Sequence, residues 1–290
     1  MKDLDMTTFD YMDYDIYRRD QARIRDWTFR VQFEAIQYDK NCVVTLTYDD
    51  KHLPLDKSVS VRHVQLFFKR LRKSISPATV RYFGCGEYGS KGGRPHYHYV
   101  LFGYCPVDLV FHHYQGKNQF FLSKSLADVW QNGFITVCPV VNQSVIPYVC
   151  KYLQKFNDFQ GRVKPFLTMS RNPGVGYNAL DSPLFDLQND KLYLNGKAIR
   201  IPRYYLLKLK KNSFDRGFWY TDPSDGSLEF YDPKEHSDLS NDIHLRLFHD
   251  RIDELLKKRR DFWQGRFDCE NYIARARKFK IFKKERNRPV

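Results

Sequence analysis

The sequence predicts an α+β fold of the split βαβ type (RRM- or ferredoxin-like), an antiparallel sheet with a loop-rich extension and C-terminal helices behind it. Three observations lead there. Short β-branched and aromatic runs alternate with helically spaced segments in the order β-α-β-β-α-β between residues 42 and 141. Two of the runs, TVRYFGCGEYG (79–89) and HYHYVLF (96–102), lie close enough in sequence to form a hairpin. Hydrophobic residues make up 42% of the 290 and aromatic residues 16%, enough to build a core.

Each element has its own signal. Residues 17–38 mix apolar and charged positions as an amphipathic helix does. CVVTLTY (42–48) is compact and β-branched, bounded by DDKHLP, and reads as a central strand. VRHVQLFFKRLRKSI (61–75) carries Val61, Val64, Phe68, Leu71 and Ile75 on one side of a helix that stops before Pro77. The hairpin of 79–89 and 96–102 follows. SKSLADVWQNG (123–133) is a helix ended by Gly133, FITVCPVV (134–141) a strand, and VIPYVCKYLQKF (145–156) a short helix. Residues 157–230 are punctuated by Gly, Pro, Asn and Asp, as in SRNPGVGYNALDSP. Residues 236–285 are helical and end in KFKIFKKERNR. The expected division is a 1–38 helical segment packing on the core, a 39–160 core, a 161–230 loop- or β-rich extension and a 231–290 basic helical region. Such a sheet has helices on one face and leaves the other face free for a ligand.

The formal charge is +14, unevenly spread: residues 251–290 hold 14 Lys/Arg against 6 Asp/Glu, while the opening MKDLDMTTFDYMDYD is acidic. A basic surface of that size points to a polyanionic partner, with nucleic acid first among them. The 20 Tyr and 23 Phe are available both to pack and to stack on unpaired bases. Six scattered cysteines without a C-x-x-C pair read as reduced thiols rather than a disulfide framework or a zinc finger. No apolar run approaches a membrane span, and the acidic start is unlike a signal peptide, so an intracellular protein is expected.

The chemistry concentrates in GCGEYGSKGGRPHYHYVLFG (84–103). His96 and His98 are two apart in a strand and share a face, while Tyr97 and Tyr99 point the other way. Glu87 ends the neighbouring strand and can meet them across the hairpin. Two imidazoles and a carboxylate suit a divalent cation that keeps open positions for substrate. The same pair can also be structural. In PYVCKYLQKF (147–156), Tyr148 and Tyr152 are four apart on one helix face, with Lys155 on that face and Lys151 beside it. By itself that spacing is equally a packing pattern. Taken together with a metal site, the tyrosines become candidate nucleophiles: attack on a DNA phosphodiester leaves a 5′-phosphotyrosine and a free 3′-OH, and the aryl ester keeps the energy to reseal the strand.

These stretches, with VVTLTYDDKHLP (43–54), SRNPGVGY (170–177) and IPRYYLLKLKK (201–211), resemble the replication initiators of small single-stranded DNA microviruses, within the HUH endonucleases of rolling-circle replication. The resemblance runs over roughly residues 17–210. It implies a sheet of the HUH endonuclease type, with His96 and His98 as the His-hydrophobic-His motif and Glu87 as third ligand of Mg²⁺ or Mn²⁺. Tyr148 and Tyr152 would be the paired nucleophiles, with Lys155 and Lys151 as active-site cations. It implies nicking of one strand at a phage origin, later rejoining into a circle, and action in the cytoplasm of the bacterial host. The implied partner is single-stranded origin DNA. The basic C-terminal region has two readings, electrostatic grip on phosphates or a helical face for a host helicase or a second copy.

Three rivals remain at this level. A plasmid relaxase or transposase would use the same chemistry. A non-catalytic module for RNA or single-stranded DNA would use the aromatics alone. A zinc hydrolase would use the ligands and leave the tyrosine pair unexplained. Among smaller signals, Arg171 with Gly174 and Gly176 fits a phosphate-binding backbone nest or a plain turn. Thr45 and Thr47 either support the metal site or are ordinary strand residues. His112 and His113 read as a loop pair without metal.

Overall fold

The computed structural model describes residues 8–89, 92–139, 146, 149–150, 161–194, 196–222, 225–236, 238–239, 242–265 and 270–286. Two compact units make up the chain, Asp20–Tyr177 and Met1–Arg19 with Asn178–Val290.

The first unit is a seven-stranded sheet in the order β4-β5-β6-β1-β3-β2-β7. Its strands are β1 (Asn41–Tyr48), β2 (Arg81–Tyr88), β3 (Pro95–Phe102), β4 (Leu109–Gln115), β5 (Asn118–Ser123), β6 (Gly133–Cys138) and β7 (Phe166–Met169). Every pairing is antiparallel. Helix α1 is Thr8–Ala35, α2 is Val61–Ser74 and α3 is Lys124–Trp130. From β1 through α2 to β2 the chain passes over β3, and from β3 to β6 it passes over β1. That skipped strand on each crossover is what the β-α-β-β-α-β order anticipates. The hairpin β4–β5 is inserted before α3 and extends the sheet beyond β6; β7 extends it beyond β2.

Alternation along the strands builds two faces. On one, Val44, Leu46 and Tyr48 of β1, Tyr97, Tyr99 and Leu101 of β3, and Ile135 and Val137 of β6 pack on Val64, Phe67, Phe68 and Leu71 of α2 and on Leu126 and Trp130 of α3. Burying one such side chain is worth about 1.5–3 kcal/mol, so this layer dominates the stability of the unit. The helices start where the sequence supplies caps: Ser60 Oγ accepts from the His63 N–H at 3.3 Å and Ser123 Oγ from the Leu126 N–H at 3.2 Å. The glycines of GCGE have a packing role on this face. A Cβ on Gly84 would lie 2.4 Å from the Tyr99 ring, and one on Gly86 would lie 3.0 Å from the Tyr97 ring. Only glycine lets both rings cross β2 closely.

The opposite face is not free, as the sequence had suggested. Ile24, Val31 and Ala35 of α1, with Trp27 beside them, join one cluster with Val43, Phe83, Val100 and Phe102. The reason lies in the strands themselves: they are apolar at both parities near the β3 C-terminus, so both faces there must be covered. Other differences are local. Helix α3 ends at Trp130 because Gln131 takes the left-handed conformation (φ 63°), and Gly133 opens β6 instead of ending the helix. His112 and His113 belong to strand β4, where the His113 ring stacks on Phe120 at 5.1 Å.

The second unit holds a three-stranded sheet of β8 (Phe185–Asp186), β9 (Lys191–Leu194) and β10 (Lys197–Arg200), in the order β10-β9-β8. Helix α4 (Arg203–Arg216) follows, then the ribbon β11 (Phe218–Thr221) and β12 (Leu228–Tyr231), then α5 (Ile243–Gly265) and α6 (Glu270–Arg286). The stretch expected to be loop- or β-rich therefore gives β7 to the large sheet and contains a 14-residue helix. Tyr205, Leu206, Leu209 and Ser213 recur at helical spacing and are buried, which explains that helix. In its core, Phe218 stacks on Phe248 at 3.6 Å and Ser213 Oγ lies 2.7 Å from His249 Nε2.

Candidate active site

The site is assembled by strand register. Glu87 is paired with His96, and Cys85 with His98, across β2 and β3. On the other side of β3, Thr47 pairs with His96 and Thr45 with His98. All of these side chains stand on the face that α1 covers only at its other end. His98 Nε2 lies 3.3 Å from Glu87 Oε1, and both side chains are buried, Glu87 at 1% exposure and His98 at 6%. Thr45 Oγ1 lies 3.1 Å from His98 Nδ1 and Thr47 Oγ1 lies 2.9 Å from His96 Nδ1. With Nδ1–H donating to threonine, the lone pair of each ring sits on Nε2. The alternative sequence reading of the threonines as plain strand residues is therefore incomplete: they orient the imidazoles.

The donor set suits Mg²⁺ or Mn²⁺ in kind. Two oxygen or nitrogen donors at right angles on an ion with ~2.1 Å bonds are about 3 Å apart, near the Glu87–His98 separation. The third donor is turned differently. The His96 and His98 ring centroids are 6.4 Å apart, and His96 Nε2 would be 2.7 Å from a Cβ built on Gly89, so its ring lies over the β2–β3 turn. Among the described residues no three His, Cys, Asp or Glu side chains converge on one point. The arrangement is a buried carboxylate–imidazole pair with a second imidazole on the same face, one side-chain rotation from joining it.

Behind the histidines, the tyrosines form a separate network. Tyr97 is fully buried, not outward as the sequence had suggested. Its Oη accepts from the Ser60 N–H at 2.7 Å and lies 2.7 Å from Tyr48 Oη, which in turn is 2.6 Å from His63 Nδ1. Burial pushes the Tyr97 phenol up to about 12 and the Tyr48 and Tyr99 phenols higher still. These three hydroxyls stay protonated and serve structure.

Tyr148, Lys151, Tyr152 and Lys155 lie outside the described residues. Their sequence neighbours Ile146, Val149 and Cys150 are buried in the cluster on the histidine face. The nest suggested around Arg171, Gly174 and Gly176 is internally occupied: the Gly176 N–H donates to Glu34 Oε2 at 2.7 Å, and Arg81 Nε donates to Glu34 Oε1 at 2.6 Å. That carboxylate, 4% exposed, takes the place a phosphate would need. Sequence reasoning missed Gly89, whose lack of a side chain makes room for His96, and Phe134, which stands in register with Thr47 on the same face and is 65% exposed.

Comparison with known proteins gives a consistent picture. A family profile of replication-associated proteins of the ORF2 type matches residues 41–157, the stretch holding β1–β6. The chain is 30% identical over 210 residues to replication-associated protein VP4 of Bdellovibrio phage phiMH2K, covering 68% of this chain and 66% of that one. It is 28% identical over 207 residues to replication-associated protein ORF4 of Chlamydia phage 1, covering 66% of this chain and 51% of the relative. The figures for replication-associated protein ORF2 of Spiroplasma virus 4 are 28% over 204 residues, 64% and 63%. The chain thus spans between about half and two thirds of the length of these relatives. No solved structure is significantly similar to it. Among the described residues no helix is long and apolar enough to cross a membrane.

Proposed function

The chain belongs to the replication-associated proteins of microviruses, and on that footing we propose that it starts rolling-circle replication by nicking one strand of phage DNA in the manner of an HUH endonuclease. The observation that carries this reading is the clustering of Glu87, His98 and His96 on one sheet face, with both imidazoles tied through Nδ1 to Thr45 and Thr47. Glu87, His98 and His96 would hold Mg²⁺ or Mn²⁺. When bound, such an ion withdraws charge from a phosphoryl oxygen as a Lewis acid.

The chain's own residues do the rest. Glu87 and His98, buried beside one another, keep a fixed donor pair out of bulk water. Tyr148 or Tyr152 supplies the nucleophile. Its Oη forms the bond to phosphorus while the P–O3′ bond breaks, the phenolic proton leaves to solvent or a neighbouring base, and the 3′ oxygen takes up a proton. The products are a 5′-phosphotyrosine and a free 3′-OH, and attack by a 3′-OH in the reverse sense rejoins the strand. Lys155 and Lys151 would balance charge on the phosphate as it is attacked. Single-stranded origin DNA is the substrate, and the net charge of +14 favours it electrostatically. The basic α5–α6 region would add phosphate contacts or bind a host helicase.

The test is cleavage of end-labelled single-stranded DNA from the phage's own origin region, with Mn²⁺ and with EDTA. Wild type is run beside Tyr148→Phe, Tyr152→Phe, the double variant and Glu87→Gln. The expected result is a metal-dependent nick with a covalent protein–DNA band, absent from the double variant and from Glu87→Gln. DNA binding by all five proteins with no cleavage by any would sink the enzymatic reading in favour of a binding module.

A further inference from the structure

The histidine face does not stop at the metal donors. Across the strands, His96 is followed by Thr47 and then by Phe134, Cα partners in register. Phe134 is therefore two strand spacings from His96, roughly 10 Å, and is 65% exposed although its neighbour Ile135 is 3% exposed on the other face. The next strands continue the same surface. Phe121 is paired with Val137 on the helix-covered face, so Phe120 and Leu122 point to the histidine face, as the membership of Phe120 in that face's cluster requires. Leu122 is 42% exposed, and Val110, its partner on β4, is 65% exposed. His113, stacked on Phe120 with the rings 8° from parallel, completes the surface. Scattered exposed apolar residues are ordinary, but here Phe134, Leu122 and Val110 stand on three neighbouring strands and one face, beginning beside the site.

Its chemistry selects the occupant. Strands β4, β5 and β6, reading LVFHHYQ, NQFFLS and GFITVC, contain no carboxylate, and the protein carries a net charge of +14. A surface with aromatic and aliphatic faces, no negative charge and direct continuity with a phosphodiester-cutting site suits unpaired bases, whose π faces stack without sequence preference.

We infer that Phe134, with Leu122 and Val110 behind it, is the platform on which bases of the single strand stack immediately beside the phosphate held at Glu87, His96 and His98. The inference rests on the nicking function proposed above and adds to it the path of the strand: outward over β6, β5 and β4, away from the end of the face that α1 covers. Stacking on Phe134 fixes the base next to the target phosphate, so the same residue aligns the phosphate with the nucleophile.

The experiment uses the full chain and single-stranded oligonucleotides from the phage's own origin region, with 2-aminopurine placed one position at a time along the strand. In wild type the probe is quenched at one or two positions flanking the nick. Phe134→Ala is expected to abolish that quenching, weaken binding about 5- to 150-fold and leave the melting temperature unchanged, because the side chain is mostly exposed. Phe134→Trp is expected to restore both. Unchanged quenching and affinity in Phe134→Ala would overturn the platform while leaving the nicking function standing. Loss of self-association in the ultracentrifuge, with DNA affinity intact, would also overturn it, assigning the strip to a second copy of the chain. A wild-type protein that neither quenches nor nicks any strand would instead remove the functional reading on which the platform depends.

Discussion

Tyr97 sits between the two histidines in sequence and on the far face of the sheet from them, so its role can be tested without touching the site. In Tyr97→Phe the ring and its packing against Trp130 (centroids 5.6 Å apart) remain. What goes is the hydroxyl that accepts from the Ser60 N–H at 2.7 Å and meets Tyr48 Oη at 2.7 Å. Tyr48 keeps His63 Nδ1 at 2.6 Å, but the half-buried Ser60 N–H loses its acceptor at the start of α2, where Ser60 is also the cap. An orphaned donor costs about 1–3 kcal/mol and a lost neutral hydrogen bond about 0.5–1.5 kcal/mol, so the expected loss is about 2–4 kcal/mol. For a domain of this size that is a fall in melting temperature of roughly 5–15 °C. Urea unfolding of wild type, Tyr97→Phe, Tyr48→Phe and the double variant measures it, and a cycle coupling of about 0.5–3 kcal/mol between the phenols is expected. A Tyr97→Phe penalty under about 0.5 kcal/mol would refute the claim that this hydroxyl fastens α2 to β3.

Titration of Mn²⁺ into the wild type should raise its melting temperature, by about 2.7 kcal/mol of stabilisation when free ion is 100-fold above its dissociation constant; Glu87→Gln and His98→Ala should each remove the shift, and a wild type indifferent to the ion would contradict the assignment of the donors. Gly84→Ala places a Cβ 2.0 Å from His98 O and 2.4 Å from the Tyr99 ring, so β2 and β3 cannot pair as they do and a loss of at least about 4 kcal/mol is expected by calorimetry. Gly89→Ala meets only the His96 ring, at 2.7 Å; circular dichroism should report an intact fold while nicking falls roughly tenfold or more. For Asp108, burial pushes the carboxyl up, but the Ser125 N–H and the Ser123 and Ser125 hydroxyls outweigh it and hold it at about 2. Its folded value lies below the unfolded one of about 3.9, so its stabilisation is present above that pH and is lost as pH falls towards 2. The acid limb of the melting curve should be shallower in Asp108→Asn over that window.

Much of the sheet was legible because local signals and burial agree. CVVTLTY and YHYVLF are strands by composition, and pairing them buries every apolar side chain at one parity against α2 and α3. The second buried parity was also written there, in Val43, Phe83, Val100 and Phe102, but its partner is supplied by α1, which no local period connects to those strands. The hairpin β4–β5 was missed for a different reason. FHHYQGKNQFF is polar and exposed on most of its residues, so it lacks the alternation that marks a half-buried strand. Its one clear signal is the turn, Gly116 at φ 60° opening a two-residue loop between Gln115 and Asn118.

The site divides along the same line between what parity fixes and what it leaves open. Spacing by two puts His96 and His98 on one face whatever the rest of the chain does, and a hairpin of β2 with β3 brings Glu87 opposite His96 once Arg81 is set against Phe102. The orientation of the rings is not a property of that hairpin. It comes from Thr45 and Thr47, 53 and 49 residues away in sequence, which become partners only when β1 lies antiparallel beside β3. The same pairing carries Phe134 into the row through Thr47. A single strand, β1, thus supplies the hydroxyls that turn the imidazoles and the bridge from the metal donors to the exposed aromatic. A shift of β1 by one residue would exchange Thr45 and Thr47 for Val44 and Leu46 on the histidine face and bury two hydroxyls among Phe67, Trp130 and Ile135. The apolar core on one side of β1 therefore holds in register the polar site on the other.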